Sequence, residues 1–204
     1  VLNNYDSKLI ISTGYTGALK DGIEVGDIVF ANNFLYSEKL VETGNETAFH
    51  NINVINKEIY IKLIKDVCKD SGLPLHFGDI LTVDKVVSNS YDKKKIGCNT
   101  TAVAVDMETF SIAEAIINKK IAFLSIRAVS DDVNCSFDVD KISEIAEDGT
   151  VDIKKTGVKI LKNINYVPQL MKLRKQAMIA SRNINKFLCN FLSNLKNECN
   201  DCIA

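Results

Sequence analysis

The chain has 204 residues, 46% of them hydrophobic and 25% charged, with a formal net charge of −1. That length favours one domain over two, and the apolar fraction suffices for a real core. The near-zero charge gives no electrostatic reason to expect nucleic acid as a partner, and no apolar run of about 18 residues marks a membrane span. Residues 1–204 are read as a single domain with a basic amphipathic helical segment at about 167–197.

In chain order, Lys8–Leu19 (KLIISTGYTGAL) reads as a buried strand running into a Gly-spaced turn at Gly14 to Gly17. Val25–Tyr36 is a second strand, started by a turn at Gly26–Asp27. Asn53–Gly72 places Ile55, Ile59, Leu63 and Val67 on one helical stripe, stopped by Gly72 and Pro74. His76–Val87 and Ala102–Met107 are strand regions, Thr109–Lys120 is a helix, and Ile121–Ser130 is an apolar strand. Alternation of apolar strands with helices predicts an α/β fold: a three-layer sandwich whose central mixed, largely parallel sheet is covered by helices on both faces.

From Val167 the character changes. Leu170, Leu173, Ala177, Ile184, Leu188 and Phe191 form an apolar series, with Lys172, Arg174, Lys175, Arg182 and Lys186 between them and no acid before Glu198. Such a helix either packs its stripe on the core, the favoured reading, or makes a peripheral contact with an anionic membrane.

The six cysteines, Cys68, Cys98, Cys135, Cys189, Cys199 and Cys202, are scattered. With no secretory signal in view, a reducing, cytoplasmic setting is expected rather than a disulfide framework. The Cys199–Cys202 pair lacks the further ligands of a structural zinc site and reads as a terminal tail. His50 and His76 have no Cys or carboxylate at ligand spacing, so no metal is assigned. No Gly-x-Ser-x-Gly elbow supports a serine hydrolase. Val1 is not a methionine and the chain enters a buried-strand pattern almost at once, so N-terminal strands upstream are expected.

The strongest clue is the placement of acids. VDMETF (Val105–Phe110) and IRAVSDD (Ile126–Asp132) put carboxylates where strands end, the place where α/β sheets bind ligands.

STGYTGAL, VGDIV, AVDMET and IRAVSDD, in that order and spacing, resemble the purine nucleoside phosphorylase and nucleosidase superfamily, over roughly Ser7 to Asp132. The Asp-Met-Glu form, the TVDKVV stretch and the basic terminal helix look most like its hopanoid-associated branch. The resemblance implies a nucleoside phosphorylase-like fold, a homo-oligomer, and cleavage of the N-glycosidic bond of an adenine-type nucleoside; likeness to that branch points to hopanoid-linked adenosine. It implies no cofactor, with either inorganic phosphate or water as co-substrate.

It also implies roles. Glu108 holds the ribose hydroxyls over Met107, and Asp131, with Ser130, protonates or shares a proton with purine N7. The family pattern pairs Arg127 with Glu108. Asp132 is read as a helix N-cap. Lys85–Val87 walls the base, and Val86 stands where relatives place a stacking aromatic residue, beside Val87. Gly14, Tyr15, Thr16 and Gly17 lie on the phosphate or nucleophile side, where their turn would aim N–H groups at an anion. Tyr15 replaces the serine common there. The remaining nucleophile-side segment would precede Val1, which leaves a catalytically incomplete nucleoside-binding protein of the same fold as the alternative.

Overall fold

The computed structural model describes residues 7–37, 50–52, 58–119, 121–138 and 167–201. In chain order these form β1 (Leu9–Ala18), β2 (Ile28–Ser37), β3 (His50–Ile52), α1 (Glu58–Ser71), β4 (Leu75–Val83), α2 (Ser90–Asn99), β5 (Ala102–Asp106), α3 (Thr109–Ile116), β6 (Ala122–Asp131) and α4 (Val167–Asp201). Elements β3 and α2 have no counterpart in the sequence reading. The Ile55 position expected on the first helix lies outside the described residues.

The strands pair in the order β3-β2-β4-β5-β1-β6, and β6 returns to pair with β2. The pairings β2–β4–β5–β1–β6–β2 therefore close a five-membered ring, with β3 attached outside it on β2. Pairs β1–β6, β2–β4 and β4–β5 are parallel, whereas β1–β5, β2–β6 and β2–β3 are antiparallel. The sheet is mixed, with its longest ladders parallel, and it closes where an open sandwich layer would leave two edges. Strand β2 serves three neighbours by dividing its length. Ile28–Phe30 face β6, Phe34–Tyr36 face β3, and a register shift between Ala31 and Phe34 interrupts its pairing with β4.

Strand β6 shows why its sequence reads as one apolar run. Leu124, Ile126 and Ala128 join Ile28 and Phe30 under α1 and α4, where Leu63, Ile64, Val67, Phe187 and Phe191 complete the cluster. Phe123 and Val129 point the other way and meet Val29, Phe34, Ile80, Phe110 and Ile116, the last two from α3. Alternate side chains thus enter two cores, so neither face is left to water. A third cluster gathers Leu19, Leu81, Val87 and Val105 around Ile96 of α2.

Helix α4 packs against β6 and α1 through Gln176, Ala180, Ile184, Phe187 and Phe191, all buried, with the two phenylalanine rings stacked at 5.4 Å. Ala177, expected on that stripe, is exposed; Gln176 and Ala180 take the inner positions. The helix is also tied by polar contacts. Lys186 Nζ donates to Ser71 O at 2.6 Å and Asn183 Nδ2 to Gly26 O at 2.8 Å. A cation at the carbonyl end of α1 is favoured by the helix dipole. Among the described residues no helix is long and apolar enough to cross a membrane.

Candidate active site

A cleft of about 180 Å³ opens where the carboxyl ends of β1, β4, β5 and β6 converge. Its walls are Tyr15, Thr16 and Gly17 from β1, Val83, Val86 and Val87 from the end of β4 onward, Val105 to Glu108, Ser130 and Asp131, and Phe137. The antiparallel crossing of β1 and β5 makes this convergence, because Gly17 pairs with Val105 and the two strands end side by side. Apolar walls with a few fixed polar groups are what a small organic ligand needs.

The β1 glycines act through close approach, not as a turn. Gly14 and Gly17 lie within the strand, paired with Arg127 and Asp131 of β6 across a register shift between Thr16 and Gly17. A Cβ at Gly14 would strike the Arg127 guanidinium, and one at Gly17 would stand 2.9 Å from Asp131 Oδ2. The expected turn is thereby corrected: Gly14 to Gly17 are strand, and of the four Tyr15, Thr16 and Gly17 are on the cleft wall and Gly14 is not. Thr16 is buried and spends its hydroxyl on Val105 O at 2.7 Å.

At the end of β5 the acids divide. Asp106 turns inward. Its Oδ1 accepts from Thr82 Oγ1 at 2.7 Å and from Thr109 N at 3.3 Å, so this side chain anchors the start of α3. Its Oδ2 accepts from the Thr109 hydroxyl and lies 3.1 Å from Arg127 Nε. Arg127 also donates to Ser12 Oγ at 3.1 Å and, from Nη2, to Thr109 Oγ1 at 2.6 Å. Arg127 therefore pairs with Asp106, not with Glu108, and does not line the cleft. The reason is alternation: residue 127 points to the same side of β6 as Phe123 and Val129, into the interior where Asp106 is buried.

Glu108 occupies the N-cap position of α3 without making a side-chain cap, and Asp106 contacts Thr109 N in its place. The Glu108 carboxylate is exposed on the cleft beside Met107 and has no hydrogen-bond or ion-pair partner among the described residues. It keeps its acceptor capacity for a ligand and benefits from the helix dipole.

Asp131 is held on both oxygens. Ser130 Oγ donates to Oδ1 at 2.7 Å, and Lys93 Nζ forms an ion pair with Oδ2. Lys93 comes from α2, is 0% exposed, and also donates to Asp132 O at 3.0 Å and Cys135 O at 3.1 Å. Three donors meet three acceptors, which is what a buried ammonium requires. Asp132 is not a helix cap: its Oδ1 accepts from Asn134 N at 2.8 Å within a turn that Cys135 N closes onto Asp132 O.

Sequence reasoning missed Lys93 and Phe137. Lys93 stands in a run of three lysines that reads as solvated surface. Its burial was signalled only by Ile96 and Gly97, three and four residues on, which share its helix face. Asn89, whose side chain accepts from Tyr91 N at 2.8 Å, is the cap that could have announced α2. Phe137 supplies the cleft with an aromatic ring that Val86 does not, and Lys93 Nζ lies 5.8 Å from its centroid. Among the described residues no group of three or more His, Cys, Asp or Glu is arranged to hold a metal ion. His76 instead meets Asp27 at 2.7 Å.

Fold and cleft together define an α/β protein with an acid-lined cleft at its strand ends. A family model described as the phosphorylase superfamily matches residues 1–162, and the chain belongs to that superfamily. The chain is 29% identical to a 5'-methylthioadenosine/S-adenosylhomocysteine nucleosidase of Staphylococcus epidermidis, over 68% of this chain and 63% of that protein. A nucleosidase of the same name from Staphylococcus aureus is 26% identical over 66% of this chain and 61% of its own length. The chain thus spans less than two thirds of these relatives. The solved nucleosidase of Neisseria meningitidis, in complex with methylthio-immucillin-A, shares the fold with a TM-score of 0.63 at 19% identity, over 95% of this chain and 72% of that one.

Proposed function

We propose that the cleft takes a purine nucleoside of the adenine type and breaks its N-glycosidic bond, with phosphate or water as the acceptor. Glu108 accepts hydrogen bonds from the ribose hydroxyls, Met107 floors the sugar, and Asp131 with Ser130 faces the base. Val86, Val87 and Phe137 supply the apolar walls around that base. The observation that carries this reading is the contrast between two carboxylates on one cleft: Glu108 without a partner among the described residues, Asp131 backed by a buried cation.

Breaking the bond builds positive charge on the sugar and negative charge on the base. A fixed carboxylate near the sugar and a proton source near the base each lower that barrier. The names of the relatives make methylthioadenosine and adenosylhomocysteine the first substrates to try. In the assay, free adenine is followed with and without phosphate. Release of adenine that Asp131→Asn and Glu108→Gln suppress supports the reading, and sugar phosphate against free sugar separates the two acceptors. Parent-like rates in both variants sink it. Saturable binding without turnover supports the nucleoside-binding alternative.

One observation favours a membrane contact as part of the same function. On the outer side of α4, exposed Met171, Met178 and Ile179 border a hollow of about 370 Å³ with Arg174, Lys175 and Arg182, and these three cations have no ion pair among the described residues. A basic, apolar face suits an anionic lipid surface and would bring the cleft to a lipid-linked nucleoside such as hopanoid-linked adenosine. Co-sedimentation with anionic vesicles that Arg174→Glu/Lys175→Glu abolishes supports it. Unchanged sedimentation, or light scattering that shows the face joining two copies, removes it.

A further inference from the structure

We propose that Lys93 is the proton reservoir behind Asp131, so that the proton neutralising the departing base comes from a buried ammonium–carboxylate pair and not from a free carboxylic acid. The inference rests on the nucleoside-cleavage reading and extends it to a residue that does not touch the cleft.

The geometry leaves little else for Lys93 to do. Its side chain is 0% exposed and its three N–H groups are committed to Asp131 Oδ2, Asp132 O and Cys135 O, so it cannot reach a ligand. Asp131, 14% exposed, is the one member of the pair that lines the cleft. With Oδ1 taking the Ser130 hydroxyl and Oδ2 taking the ammonium, the resting carboxylate accepts on both oxygens and has no proton of its own to donate. A purine leaving as an anion needs one. As the glycosidic bond breaks, its electron pair passes to the base, Asp131 gives a proton to the base nitrogen, and Lys93 gives one to Asp131. Lys93 ends as a neutral amine, Asp131 ends as the carboxylate it began as, and the base leaves as a neutral N–H. The anionic charge that would have built on the base is cancelled against the ammonium, and after release solvent in the cleft protonates Asp131, which passes the proton back to Lys93.

The burial of the pair makes this transfer cheap to arrange, because the donor is already in hydrogen-bonding position and no water must be ordered. It also makes lysine the required residue. An ammonium can release a proton, whereas a guanidinium keeps its own and can only hold Asp131 in place. Lys93 is thus a positioning residue with a second duty, and the two duties separate by substitution.

The test compares the full chain with Lys93→Arg and Lys93→Met on two substrates: a purine nucleoside, whose base needs a proton to leave, and the p-nitrophenyl glycoside of the same sugar, whose leaving group does not. The expected result is that both variants, folded by circular dichroism, lower the purine-to-nitrophenyl rate ratio by about 100-fold or more, the scale of general-acid assistance. If Lys93→Met fails to fold, Lys93→Arg, which preserves the ion pair, decides. A parent-like ratio in folded Lys93→Arg overturns the inference and leaves the nucleoside-cleavage reading intact. An equal loss on both substrates also overturns it, since that is the signature of a residue that only shapes the site. A parent chain that cleaves neither substrate overturns the cleavage reading and this inference together.

Discussion

Two acid–cation pairs hold β5 and β6 at the cleft end of the sheet, and they differ in access and in the kind of cation. Arg127–Asp106 is sealed, with side-chain exposures of 3% and 1%, and its hydrogen-bond partners include Ser12, Thr82 and Thr109. Lys93–Asp131 is closed on the lysine side at 0% and open on the aspartate side at 14%, where the cleft begins. The first pair carries the cation that cannot give up a proton and anchors α3; the second carries the one that can, and it faces the ligand space. Access and the kind of cation together separate the two pairs.

The comparison breaks most visibly at Asp131. If its carboxylate assists the leaving base, Asp131→Asn lowers the rate of purine nucleoside cleavage by about 10²- to 10⁴-fold, the usual weight of general acid catalysis. Steady-state kinetics at saturating substrate reads the effect. At the sealed pair the loss is expected in stability. Arg127→Met leaves Asp106 as an uncompensated buried charge and costs about 3–5 kcal/mol, seen as a lowered urea midpoint. A stability within about 0.5 kcal/mol of the parent's, the range of ordinary surface substitutions, would show that the pair does not hold the fold.

Glu108 sharpens the contrast from the other side, since it is an acid with no partner among the described residues. Glu108→Gln is expected to weaken nucleoside binding by about 1.5–3 kcal/mol, the worth of hydrogen bonds to a charged group, with little change in the urea midpoint. A large stability loss with unchanged affinity would make it a helix-terminus acid only.

The smallest effect concerns Cys68, on the buried face of α1, whose thiol is pushed up from the ordinary 9.0 to about 12 by burial. Between those values the unfolded chain gives up the proton and the folded chain keeps it, so stability falls as pH rises above about 9. Urea midpoints at pH 8 and 10.5 are expected to diverge more for the parent than for Cys68→Ala. Peptide mapping after thiol labelling at pH 8 is expected to find exposed Cys98 and Cys189 modified and Cys68 protected.

Much of the fold was legible because it is local. The β6 run, the α1 stripe with its stop at Gly72, and the amphipathic character of α4 each follow from periodicity within one element. Ring closure was not legible, because the β1–β5 and β2–β6 pairings depend on contacts between distant segments. Gly14 and Gly17 misled for a related reason. A glycine pair is a turn signal in isolation, and only the register opposite Arg127 and Asp131 reveals that the missing Cβ atoms make room for side chains. The cleft carboxylates were placed by their position at strand ends. The choice of Asp106 over Glu108 as the partner of Arg127 needed the direction of each side chain, which alternation along β6 decides only once the core is known. Lys93 was hidden by its own neighbours, since Lys94 and Lys95 make the segment look wholly solvated.

The most direct test of a base site at Asp131 is a calorimetric titration of adenine, a product under either acceptor, into the chain and into Asp131→Ala. The expected result is saturable binding to the parent that the substitution removes while circular dichroism remains that of a folded protein. Binding of equal strength in the variant, or none in a folded parent, would contradict the assignment of this cleft to an adenine base.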